Sequence, residues 1–86
     1  MTLRIERFSV RRGTRFRISG EPRSEQLNDL RTEIESGGPQ VTLDLDELFL
    51  VDVDAVRFLG TCEAGGTEVI NCAPFIREWI DRERKV

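Results

Sequence analysis

The side chains with most chemical potential are five carboxylates packed into the stretch 44–54: Asp44, Asp46, Glu47, Asp52 and Asp54. Carboxylates at that density offer cation binding, paired acid–base work or charge-based docking. A calcium loop needs a defined run of oxygen ligands bent by a glycine, and no glycine lies between positions 44 and 54. Paired acids doing acid–base catalysis need a pocket, which an 86-residue chain rarely encloses. The plainer reading is that Asp52 or Asp54 caps a following helix, meeting its free N–H groups and the positive end of its dipole, while the rest keep the loop solvated. The chain has no histidine, so it lacks the commonest general base, metal ligand and pH switch together. No catalytic residue, metal site or cofactor is expected, and the protein is read as not an enzyme.

Cys62 and Cys72 do not form a Cys-x-x-Cys pair. Cys62 falls at an apolar helical position and reads as a small core residue. Cys72 ends a strand, partly exposed, and a thiol enzyme built on it would need an electropositive neighbour that the local sequence does not supply.

Arginines are the other concentrated chemistry. Residues 1–23 hold seven arginines against two glutamates, a net +5, whereas from Ser24 onward six bases face fourteen acids, a net −8, giving −3 for the chain. Arg11, Arg12, Arg15 and Arg17 form the nucleic-acid candidate. Basic clusters bind nucleic acid through its phosphates, but recognition modules usually add exposed aromatics or a groove helix. Here Phe16 alternates inward, there is no tyrosine and the whole chain is acidic. Arg15 and Arg17 can instead pair with Asp44 and its neighbours across a sheet.

These residues need elements to hold them. Residues 3–10 and 14–19 read as two strands joined by Arg11, Arg12 and Gly13, a turn whose glycine can take positive φ. In the second, Phe16 and Ile18 point one way and Arg15 and Arg17 the other. The first has Leu3 and Ile5 on one face and Phe8 on the other, as an edge strand. Ser24 suits an N-cap, Leu27, Leu30 and Ile34 make an apolar stripe, and Gly37, Gly38 and Pro39 end that helix. Residues 41–46 alternate as a strand with Thr42 and Asp44 turned from the core. Ala55, Val56, Phe58, Leu59 and Cys62 then share one helical arc, with Arg57, Gly60 and Thr61 off it. Gly65 and Gly66 close this helix, residues 68–72 make a short strand, and Pro74 opens a last helix with Phe75, Ile76, Trp79 and Ile80 as its apolar face. Trp79 reads as core filler, Glu78 and Arg82 as an i,i+4 pair, and residues 82–86 as a fraying end. The sum is a single α/β domain over 1–86: a small mixed four-stranded sheet, an N-terminal hairpin then β-α-β-α-β-α, with helices mainly on one face.

The centre of the chain resembles the STAS domain, the anti-sigma-factor-antagonist fold, in which a Leu-Asp-Leu strand end leads to an Asp-Ser-Ser-Gly loop opening a helix. The match is Leu43-Asp44-Leu45 followed by Asp52-Val53-Asp54-Ala55. Ile18-Ser19-Gly20-Glu21 ending an early strand and the Gly65-Gly66 turn agree with it, so the resemblance spans nearly the whole chain. It implies a bacterial regulatory module that acts by protein–protein binding. In the family's regulators a kinase that is also an anti-sigma factor phosphorylates the serine after the loop aspartate, breaking the complex. Here that position is Val53, which has no hydroxyl. The next serine is replaced by Asp54 and the glycine by Ala55. What the resemblance then implies is docking without that switch, through Asp52, Val53, Asp54, Ala55 and Arg57. Val53 is either part of the contact patch or tucked under the loop. The expected partner is a kinase-like anti-sigma factor, or the ATPase of a lipid transporter that carries a small STAS subunit. At 38% hydrophobic and 34% charged residues, with no apolar run of spanning length and no signal-peptide pattern, a soluble cytoplasmic protein is expected.

Overall fold

A computed structural model describes residues 3–84. The elements run β1 (Arg4–Val10), β2 (Gly13–Ser19), α1 (Ser24–Glu35), β3 (Val41–Asp44), α2 (Val53–Ala64), β4 (Glu68–Ile70) and α3 (Pro74–Arg84). The four strands form one sheet in the order β1-β2-β3-β4. β1 is antiparallel to β2, and β2, β3 and β4 are parallel, as helices between strands require. The mixed sheet, the edge position of β1 and the helices on one side agree with the sequence reading.

Register decides which face each side chain joins. Phe8 lies opposite Arg15 and Glu6 opposite Arg17 across the hairpin, and Arg15 and Arg17 in turn lie beside Thr42 and Asp44. A slip of one residue would exchange Phe16 and Ile18, both fully buried, for two arginines. Phe16, Ile18, Leu43 and Leu45 thus line the inner face. Leu30 and Ile34 of α1, Val56, Phe58 and Leu59 of α2, and Ile76 and Ile80 of α3 pack onto it. Each such side chain contributes roughly 1.5–3 kcal/mol relative to its exposed state.

Four local details depart from the sequence pattern. Gly13 does not take positive φ, and its lack of a side chain is needed because the Gln40 backbone passes where a Cβ would stand. Ser24 is already helical: the N-cap is Arg23, extended at φ −94° and ψ 161°, whose N–H donates to Gln26 Oε1 at 3.2 Å. The glutamine at the third helical position thus supplies the reciprocal half of a capping box, while its own N–H donates to the Arg23 carbonyl at 2.9 Å in place of a serine hydroxyl. Gly60 is buried rather than on the solvent side of α2, because a second helix packs there; a Cβ at Gly60 would lie 3.4 Å from Arg84 Cγ and 3.6 Å from Ile80 Cγ2. Phe75 is 52% exposed, while Ile76 and Ile80 are buried and Trp79 packs half-buried against the core.

Charged groups clamp α2 to α3. Arg77 Nη1 and Nη2 donate to the two Glu63 oxygens at 2.8 and 2.7 Å, and Arg77 Nη2 also reaches Asp81 at 2.9 Å. Arg84 adds a second donor to Glu63 at 2.9 Å. The expected Glu78–Arg82 pair is present at 3.0 Å. α3 continues in helix to Arg84, and Lys85 and Val86 lie outside the described residues.

Candidate functional site

The segment between β3 and α2 is folded by its own short-range bonds. Asp44 is 4% exposed at the end of β3. Its Oδ1 accepts the Asp46 N–H at 3.0 Å and the Asn71 side-chain amide at 3.2 Å. Asn71 stands at φ 55°, a left-handed conformation that asparagine tolerates better than most residues. Burial alone would raise the Asp44 pKa, but these two donors and the guanidiniums of Arg17 and Arg15 outweigh it and hold the carboxyl below its ordinary value. Asp44 is thus a strut joining the ends of β3 and β4.

Leu45 and Leu48 turn inward and are almost wholly buried, and Leu48 bridges to Gly20 beyond β2. Anchoring those two leucines leaves their neighbours outside: Phe49 is 63% exposed and Leu50 49%. Neither residue belongs to a strand or helix period, so neither stood out among the candidates. The available signal was two large apolar residues in a loop already supplied with two core leucines.

Asp52 caps α2, its Oδ1 accepting the Ala55 N–H at 2.9 Å. That choice between the two aspartates leaves Asp54 exposed in the first turn, where its charge faces the positive helix end. Val53 is 37% exposed, which places its side chain on the surface instead of under the loop. Ala55 is 1% exposed and faces the core, supporting the site from beneath. Arg57 points along α2 toward α3, where its Nε donates to Glu83 Oε1 at 2.9 Å. The Glu83 hydrogen bond and charge raise its pKa, with Asp54 adding to the effect. The segment thus leaves three apolar side chains, Phe49, Leu50 and Val53, exposed within five consecutive positions, with Asp52, Asp54 and the Glu83-paired Arg57 beside them in the chain.

The other candidates are placed as follows. No three histidine, cysteine or acidic side chains converge into a metal-binding group among the described residues. Burial pushes the Cys62 thiol up to about 11 and the Cys72 thiol above its ordinary value, opposite to the shift that a nucleophilic thiol needs. Arg11 and Arg12 are exposed at the hairpin tip. Arg15 and Arg17 lie back over the Phe8 ring, with their Cζ atoms 5.3 and 5.7 Å from its centroid. Arg17 also stands 3.9 Å from Asp44 and 3.8 Å from Glu47. No helix among the described residues is long and apolar enough to cross a membrane.

No protein-family model matches the sequence, and no curated protein matches it. Among solved structures, the unphosphorylated form of the anti-sigma factor antagonist SpoIIAA superposes with a TM-score of 0.67. The match covers 94% of this chain and 81% of that one, at 20% sequence identity. The fold is STAS-like. With identity this low the likeness speaks for the fold, and the function has to be argued from the residues at the site.

Proposed function

We propose that this chain is a non-catalytic regulatory module that docks a protein partner at the start of α2 and the loop before it. The observation that carries the reading is the exposure of Phe49, Leu50 and Val53 on a segment whose backbone is pinned by Asp44 below and the Asp52 cap above. Exposed apolar side chains on a pre-ordered segment bind at little ordering cost, and an acidic fringe selects for a basic partner rim. The STAS-like fold supports a partner of the kind that anti-sigma factor antagonists take, a kinase-like anti-sigma factor. The runner-up is a transporter ATPase. Val53 has no hydroxyl to accept a phosphoryl group, and the helix start already carries Asp52 and Asp54, so docking is not released by phosphorylation there.

The test is affinity capture from native lysate with identification of the bound proteins, comparing wild type with Phe49→Ser/Leu50→Ser. Both residues are exposed, so the variant should melt with the wild type. A kinase-like anti-sigma factor held by wild type and lost by the variant supports the proposal. An ATPase lost in the same way selects the runner-up, and a partner held equally by both refutes the site.

A further inference from the structure

The three helices all bury their side chains on the Phe16 and Ile18 face, so the opposite face of the sheet carries no helix. At the middle of that bare face Arg15 and Arg17 lie side by side on β2 over the Phe8 ring. Their hydrogen bonding is incomplete. The Nε atoms of both are buried and meet no acceptor. Arg15 has no ion-pair partner among the described residues. The two acids near Arg17, at 3.8 and 3.9 Å, stand beyond hydrogen-bonding length. Stacking on an aromatic ring fixes each guanidinium plane while leaving its outer nitrogens free for a carboxylate, the geometry that favours bidentate pairing.

We propose that this face is a second binding surface, which takes an extended acidic peptide segment laid along β2, with alternate carboxylates on Arg15 and Arg17. Side chains two apart on a strand share a face and stand about 7 Å apart, so acids at alternate positions of an extended peptide match the two arginines in spacing. Beside the strip, Phe8 and the 44%-exposed Val10 offer apolar contact for residues between the acids. Polyanionic nucleic acid fits less well, because the same face carries Glu6 next to Arg17 and Glu68 next to Thr42. Those carboxylates, with Asp44 and Glu47 within 4 Å of Arg17, would repel a continuous phosphate chain, whereas a short acidic segment can centre on Arg15, which has no acid paired to it among the described residues.

The experiment follows the arginine Nε–H signals of the whole protein by NMR during titration with two capped five-residue peptides of equal charge. One carries glutamates at alternate positions, the other at adjacent positions, with serine elsewhere. The proposal expects the alternate peptide to shift the Arg15 and Arg17 signals and to bind several-fold tighter than the adjacent one. It expects Arg15→Gln to weaken that binding on the order of tenfold, the worth of one charge-assisted pair. Arg82→Gln, on α3 where the side chain pairs with Glu78, should leave the binding unchanged. Absence of a shift overturns the proposal. Equal binding of both peptides overturns it, and so does a single-stranded oligonucleotide binding more tightly than either. Signal changes that follow protein concentration without peptide also overturn it, since the face would then be an interface between two copies of this chain.

Discussion

Replacing Gly60 by alanine should stabilise this protein, although Gly60 is buried where two helices meet. Glycine within a helix costs about 0.8–1.0 kcal/mol relative to alanine, because the unfolded chain has more freedom to lose. The space for a methyl group is already present. Its nearest neighbours would be Arg84 Cγ at 3.4 Å and Arg84 Cδ and Ile80 Cγ2 at 3.6 Å, ordinary contact distances, the closest of them on a flexible side chain. Burying one methyl adds up to about 0.8 kcal/mol, and adjusting the Arg84 stem takes back a few tenths. The expected net gain is about 1 kcal/mol, which for a domain of this size is a rise of roughly 4–8 °C in Tm. Urea unfolding followed by circular dichroism reads this directly, with the midpoint raised and the slope unchanged. Gly60→Leu should instead cost roughly 1–3 kcal/mol by overpacking the same contact. A Gly60→Ala protein less stable than wild type would refute the reasoning, since α2 and α3 would then have to approach more closely than described.

Other consequences follow from individual side chains. Asp52→Ala removes the α2 cap and should cost about 1 kcal/mol in urea unfolding, with Asp52→Asn recovering most of it. Asp44 and Glu63 both have folded pKa values held below their ordinary 3.8 and 4.5. Their stabilisation is therefore complete above the unfolded values and disappears as pH falls through the folded ones. Urea midpoints should stay level near neutrality and drop below about pH 4.5, and Asp44→Asn should flatten that drop. With the Cys62 thiol near 11, only about a thousandth is thiolate at pH 8, so iodoacetamide should label Cys62 slowly until the protein unfolds. Asn71→Ala should cost more than Asn71→Gly, because both lose the donor to Asp44 but only alanine also pays for positive φ.

The sheet was legible because its signals are periodic: Phe16 and Ile18 alternating with Arg15 and Arg17 define two faces, and the helices between strands dictate the parallel order. Asp52 was legible as a cap by residue type, but a sequence cannot decide between Asp52 and Asp54 until the first helical turn is placed. Gly60 was misassigned because helical periodicity describes one burial arc, and α2 is covered on two sides, by the sheet and by α3. Phe75 erred in the opposite sense: its position on the apolar arc of α3 did not guarantee a neighbour to cover it. At the candidate site, Val53 and the two aspartates were visible through the resemblance of the loop. Phe49 and Leu50 were not, because their exposure follows from Leu45 and Leu48 taking the core positions, a competition settled only in three dimensions.

Docking at the start of α2 is tested most directly by site-specific photo-crosslinking. A photoreactive phenylalanine analogue replaces Phe49 in one protein and Arg12, at the hairpin tip, in another, each irradiated in lysate. If the loop is the docking surface, the analogue at position 49 should yield a crosslinked partner. That partner should be lost when Val53→Asp is added, a change tolerated at an exposed helix start where negative charge is favourable. A partner crosslinked from position 12 and not from position 49, or a crosslink at 49 indifferent to Val53→Asp, would contradict it.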